Sequence, residues 1–124
     1  MSIKEHDFGS LVCIYAQLLP RIRKAAKKLG YAIAIHGTMS RDFDLLAVPW
    51  IEDAAEPMEL VNMIAEAVGG FVIGDLTDKR SNDAHVSENP TPKPHGRMSW
   101  NICWGGKIFI DLSVMPKHYE KRDI

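Results

Sequence analysis

Two aspartates spaced i, i+2, Asp42 and Asp44, open the apolar run Phe43-Asp44-Leu45-Leu46-Ala47-Val48, and a glycine turn with a hydroxyl, His36-Gly37-Thr38, stands just ahead of them. Side chains alternate between faces along a strand, so both carboxylates are expected to point the same way, about 7 Å apart. Like charges side by side repel, and the arrangement is costly unless a cation or a firm set of hydrogen bonds offsets it. Mg²⁺ suits such a pair, because it takes one or two carboxylates and completes its shell with water and substrate phosphate oxygens. The plainer alternative is a turn with solvated acids, where Asp caps the loop and Arg41 neutralises it. Asp-x-Asp alone fits that alternative; the glycine turn before it and a third acid further on favour the metal.

That third acid is Asp111, inside Ile108-Phe109-Ile110-Asp111-Leu112-Ser113-Val114, a run otherwise fit for burial. An ionised carboxylate inside a sheet costs several kcal/mol unless paired or bound to metal. Pairing with Arg97 or Lys107 at a sheet end is the competing explanation. Lys93, His95 and Arg97 precede the last hairpin; if extended they face one way and could clamp a phosphate or carboxylate beside the acids. Otherwise they form a proline-stiffened loop with ordinary surface charge. His36 reads as a partly buried histidine bonded to backbone. Trp50, Trp100 and Trp104 read as packing residues, with base stacking open only to an exposed Trp100 or Trp104.

The elements that must position these residues follow from hydrophobic spacing. Leu11, Ile14, Tyr15, Leu18, Ile22, Ala25, Ala26 and Leu29 recur at helical intervals between a Ser10 N-cap and Gly30, and Pro20 is expected to kink or split that helix. Tyr31 to Ile35 and Phe43 to Val48 read as strands; the link between them is too short for a crossover helix, so they should be antiparallel neighbours. Glu56 to Val68 reads as a second helix with Pro57 in its first turn, stopped by Gly69-Gly70. Phe71 to Ile73 is a short strand. Thr77 to Gly96 is irregular and is expected to cover or border the acids. Met98 to Trp104 and Lys107 to Val114 form a hairpin across Gly105-Gly106, in a register that sets Trp104 against Lys107, Ile102 against Phe109 and Trp100 against Asp111. The fold class is α/β (α+β): a mixed, mostly antiparallel sheet with an N-terminal helix, a second helix and a C-terminal hairpin.

At 124 residues the chain is expected to form one domain spanning 1–124. Its net charge of −1 gives no long-range attraction to nucleic acid or anionic membrane, so any polyanion site must be a local cluster. Arg21, Arg23, Lys24, Lys27 and Lys28 form one such cluster; a solvated helix face is the first reading of it and a hold on phosphates or RNA the second. Cys13 and Cys103 lack metal-ligand spacing and sit in apolar settings, which suggests buried free thiols and a reducing, cytoplasmic location. No secretory leader and no bilayer-spanning run is read in the chain, so no membrane partner is expected.

A small-residue turn, then Asp-x-Asp on a strand, then one acid on a neighbouring strand resembles the nucleotidyltransferase superfamily, whose minimal members are of comparable size. The stretches "RDFDLLAVPW" and "IDLSVMP" are also similar to small proteins of bacteria and their phages. The resemblance covers Tyr31 to Val114 in element order. It implies that Gly37 and Thr38 hold a triphosphate, that Asp42, Asp44 and Asp111 bind Mg²⁺ (or Mn²⁺) and are the catalytic acids, and that Ser40 and Arg41 join the substrate contacts. The link from Thr38 to Asp42 is only Met39, Ser40 and Arg41, shorter than the family's usual connection. The function implied is Mg²⁺-dependent nucleotidyl transfer from an NTP to an acceptor that the sequence does not identify, with RNA and protein as the candidates. The alternative is a catalytically inactive nucleotide-, RNA- or protein-binding module on the same fold.

Overall fold

A computed structural model describes residues 8–37, 39, 42–74, 90–105 and 108–117. Thr38, Ser40 and Arg41 lie outside the described residues, as do 75–89, which include most of the segment expected to border the acids, and Lys107.

The first helix, α1 (Phe8–Lys28), turns Leu11, Tyr15, Leu18, Ile22, Ala25 and Ala26 inward. It runs as one helix through Pro20, so the expected split does not occur. Pro20 is exposed, and the carbonyl it leaves unpaired one turn earlier can take water while the packed face holds the helix together. Strands β1 (Tyr31–Ile35) and β2 (Phe43–Pro49) follow as the expected antiparallel pair, with Ile33 opposite Ala47. Helix α2 (Pro57–Val68) begins with its proline in the first turn and ends at Gly69, whose φ of 74° is the left-handed conformation that terminates helices. Next come β3 (Phe71–Val72) and β4 (Thr91–Pro92), a short 3₁₀ turn at Pro94–Gly96, β5 (Met98–Gly105) and β6 (Ile108–Val114).

The six strands form one mixed, mostly antiparallel sheet in the order β1-β2-β6-β5-β3, with β4 also on β5. Among the described residues its single parallel pairing joins β2 to β6 at the centre. Both helices cover one face: Phe43, Leu45, Ala47, Trp100, Ile102, Ile110, Leu112 and Val114 meet α1 and α2 in a continuous core. Tyr15 stacks on Phe43 with ring centroids 4.6 Å apart. Strand alternation turns Asp44, Ser99, Asn101, Asp111 and Ser113 to the other face, on which no described helix packs.

The hairpin register differs from expectation by one residue. Cys103 pairs with Phe109 and Gly105 with Ile108, so Trp104 is an extra residue on β5. The Gly105–Ile108 pairing stands two positions from the expected Trp104–Lys107 register and the bulge takes back one, so every pair beyond it is displaced by one and the faces are exchanged. Ile102 therefore meets Ile110 rather than Phe109, and Trp100 meets Leu112 and is buried on the helix side. Asn101, not Trp100, stands opposite Asp111.

Candidate functional site

β2 and β6 run parallel in a register that pairs Asp44 with Asp111. Neighbouring strands are about 4.8 Å apart, so two side chains at one level on one face are immediate neighbours. Asn101 on β5 completes the row Asp44–Asp111–Asn101 across three strands. Asp42 lies one residue ahead of β2 and is exposed.

The acids act on one another electrostatically. The Asp44 carboxyl is held above its ordinary 3.8, first by burial, then by the adjacent Asp111 charge; His36 opposes the shift and Asp42 adds to it. On the helix side, the Tyr15 phenol is pushed up to about 12, by burial and then by Asp42 and Asp44. Tyr15 therefore stays protonated beneath the acids at any physiological pH.

Local structure orients Asp111 and brings the Gly37 turn against Asp44. Ser99, itself buried, donates its Oγ–H to Asp111 Oδ1 at 2.6 Å. That bond orients Asp111 and neutralises part of one oxygen. Gly37 lies against Asp44: a Cβ added there would sit 2.7 Å from Asp44 Oδ2, and its φ of +79° is one that side chains rarely adopt. The turn is tied down by His36, whose backbone N–H donates to the Asp44 carbonyl at 3.0 Å. Glycine at 37 is thus required twice, by the backbone and by the carboxylate beside it.

Lys93, His95 and Arg97 are not brought to the acids. Met98 pairs with Val114, three residues along β6 from Asp111, so the segment before it lies roughly 10 Å or more towards the opposite end of the sheet. Nor is it extended: the Lys93 N–H donates to the Arg97 carbonyl at 3.0 Å, and His95, at φ 66°, sits inside the 3₁₀ turn. The Arg97 Nε–H donates to the Pro94 carbonyl at 3.0 Å, and among the described residues the Asp111 carboxylate bonds to Ser99 and not to Arg97. His36 is exposed and acts on Asp44 through its charge, rather than being a partly buried histidine.

The donor set is oxygen only, two carboxylates at one level with a third acid nearby. Among the described residues no three His, Cys, Asp or Glu side chains close into a metal cage. Mg²⁺ and Mn²⁺ do not need one, since one or two carboxylates with waters and phosphate oxygens complete their shell, so Asp44 and Asp111 fit such an ion. Sequence reasoning missed Ser99, Asn101 and Tyr15. Ser99 and Asn101 follow from the β5–β6 register once the Gly105–Ile108 pairing and the Trp104 bulge are both known; nothing local to Tyr15 signals its place under the acids.

No protein family, curated protein or solved structure matches the chain. No helix among the described residues is long and apolar enough to cross a membrane.

Proposed function

We propose that the Asp44–Asp111 pair, with Asp42, is the divalent-cation and nucleotide site of a small nucleotidyltransferase-like protein. The observation that carries this reading is the in-register pairing of two carboxylates on adjacent parallel strands, on the sheet face away from the helices. Burial first, and then the neighbouring Asp111 charge, raise the Asp44 pKa, and a cation bound between the two carboxylates would offset that repulsion. Asp44 and Asp42 would hold Mg²⁺ or Mn²⁺, with Asp111 as a further ligand or as the group that orients the acceptor. Bound there, the ion supplies charge neutralisation for the phosphate oxygens of an NTP.

In the reaction, an acceptor hydroxyl attacks the α-phosphorus, an O–P bond forms, and the bond to the β-phosphate oxygen breaks to release pyrophosphate. Asp111, fixed by Ser99 through Oδ1, has its second oxygen to accept the hydroxyl proton. Gly37 keeps the turn close to Asp44 without a side chain in the way, and Thr38 offers a hydroxyl to the phosphates.

A second reading, a nucleotide-binding module without catalysis, draws support from the distance of Lys93, His95 and Arg97 from the acids, which removes the expected phosphate clamp. The two separate in one experiment. The protein is incubated with each α-³²P-labelled NTP, Mg²⁺ or Mn²⁺, and total RNA or protein as acceptor. Transfer of label with pyrophosphate release, lost in Asp44→Asn and Asp111→Asn, supports catalysis. Nucleotide binding without transfer establishes the module, and transfer undiminished in both variants overturns the site.

A further inference from the structure

The C-terminal half of α1 carries Arg21, Arg23, Lys24, Lys27 and Lys28, all exposed, in a helix that contains no acidic residue. Arg21, Lys24 and Lys28 fall at i, i+3 and i+7, one stripe on the side away from the core; Lys27 and Arg23 flank it. From Arg21 to Lys28 the stripe is about 10 Å long at ~1.5 Å per residue.

Two observations separate this face from an ordinary solvated one. Among the described residues no carboxylate lies within ion-pair distance of any of the five cations, although Glu52 and Asp53 are exposed in the turn after β2. The helix also sets like charges at neighbouring positions four times, Arg21–Lys24, Arg23–Lys27, Lys24–Lys27 and Lys24–Lys28, each of which works against the helix. The negative end of the helix dipole accounts for Lys27 and Lys28 alone. In a chain of net charge −1, the remaining positive charge is a concentrated local feature.

We infer that this stripe of α1 binds the phosphate backbone of a single-stranded nucleic acid. The occupant follows from charge complementarity: a regularly spaced polyanion neutralises a row of cations that have no carboxylate partner among the described residues. Binding here goes beyond the transfer reaction and does not depend on it.

The test is fluorescence anisotropy of a labelled single-stranded RNA of about 20 nucleotides, without metal or nucleotide, between about 50 and about 200 mM KCl. With three to five phosphate contacts, log K should fall with log salt at a slope of roughly −2 to −3.5, about 0.7 per contact. Arg21→Ala/Lys24→Ala/Lys28→Ala should weaken binding at least tenfold at the lower salt and flatten the slope by about 2. All three sites are exposed and alanine favours helix, so this variant should fold; matching circular dichroism and thermal midpoint confirm it. Asp44→Asn should keep the salt slope. Absence of RNA binding at low salt, or binding that the triple variant retains, overturns the inference. So does binding of anionic phosphatidylserine vesicles in place of RNA. Because metal and NTP are omitted, failure here leaves the transfer reading standing, and success does not require it.

Discussion

Replacing Gly37 with alanine perturbs the site at its tightest contact. The new Cβ would lie 2.7 Å from Asp44 Oδ2 and 3.6 Å from Asp44 Cβ and Cγ, on a backbone at φ +79°. Holding alanine in the left-handed region costs about 1–2 kcal/mol. The carboxylate is the end of a short side chain and can rotate away, at about 0.5–1.5 kcal/mol for leaving its rotamer. The sum is roughly 2 kcal/mol, or about 8 °C in thermal midpoint at ~4 °C per kcal/mol for a domain of this size. The two contributions separate in a double-mutant cycle of Gly37→Ala and Asp44→Ala, measured by urea unfolding at neutral pH without divalent ions. The backbone cost persists in the Asp44→Ala background, and the clash does not. A coupling of about 0.5–1.5 kcal/mol is expected, with the double variant more stable than the sum of singles allows. Additivity within about 0.3 kcal/mol would refute the close approach of Gly37 to Asp44.

Asp44→Asn should stabilise the metal-free protein at neutral pH, because the folded state holds this carboxyl above its ordinary 3.8 and ionisation there opposes folding. The advantage should shrink as pH falls through the raised pKa and vanish below about 3.8, which thermal midpoints of both proteins against pH will show. Ser99→Ala removes a buried donor to a carboxylate, and a loss of about 1.5–3 kcal/mol is expected by denaturant unfolding. The same variant should weaken Mn²⁺ binding in calorimetry, since Asp111 loses the bond that orients it.

The elements were legible where the pattern is local. The spacing of Leu11, Tyr15, Leu18 and Ile22 marks α1, and the short link between Tyr31–Ile35 and Phe43–Pro49 requires an antiparallel pair. Alternation along β2 already sends Asp44 away from Phe43 and Leu45. Four things were not legible. Pro20 argues for a break, but the packed face of α1 outweighs one missing hydrogen bond. Gly105-Gly106 suggests the two loop residues, whereas Gly105 pairs with Ile108 inside the sheet; that moves the register by two, the bulge at Trp104 takes back one, and Asn101 rather than Trp100 stands beside Asp111. Lys93, His95 and Arg97 face one way only if extended, and the turn that pairs Pro92 with Met98 folds them at the other end of the sheet. The parallel pairing of β2 with β6 joins residues distant in sequence, and neither strand alone encodes it.

The central claim, that the Asp44–Asp111 row holds a divalent cation, is tested most directly by the thermal midpoint with and without millimolar Mg²⁺ or Mn²⁺, each with and without NTP. A cation that binds only the folded protein stabilises it by about 2.7 kcal/mol at ~100 times its Kd, roughly 10 °C here. Wild type should show such a rise, strengthened by NTP, while Asp44→Asn and Asp111→Asn should show none. A wild-type midpoint unmoved by either ion with every NTP, or an equal rise in Asp44→Asn, would contradict it.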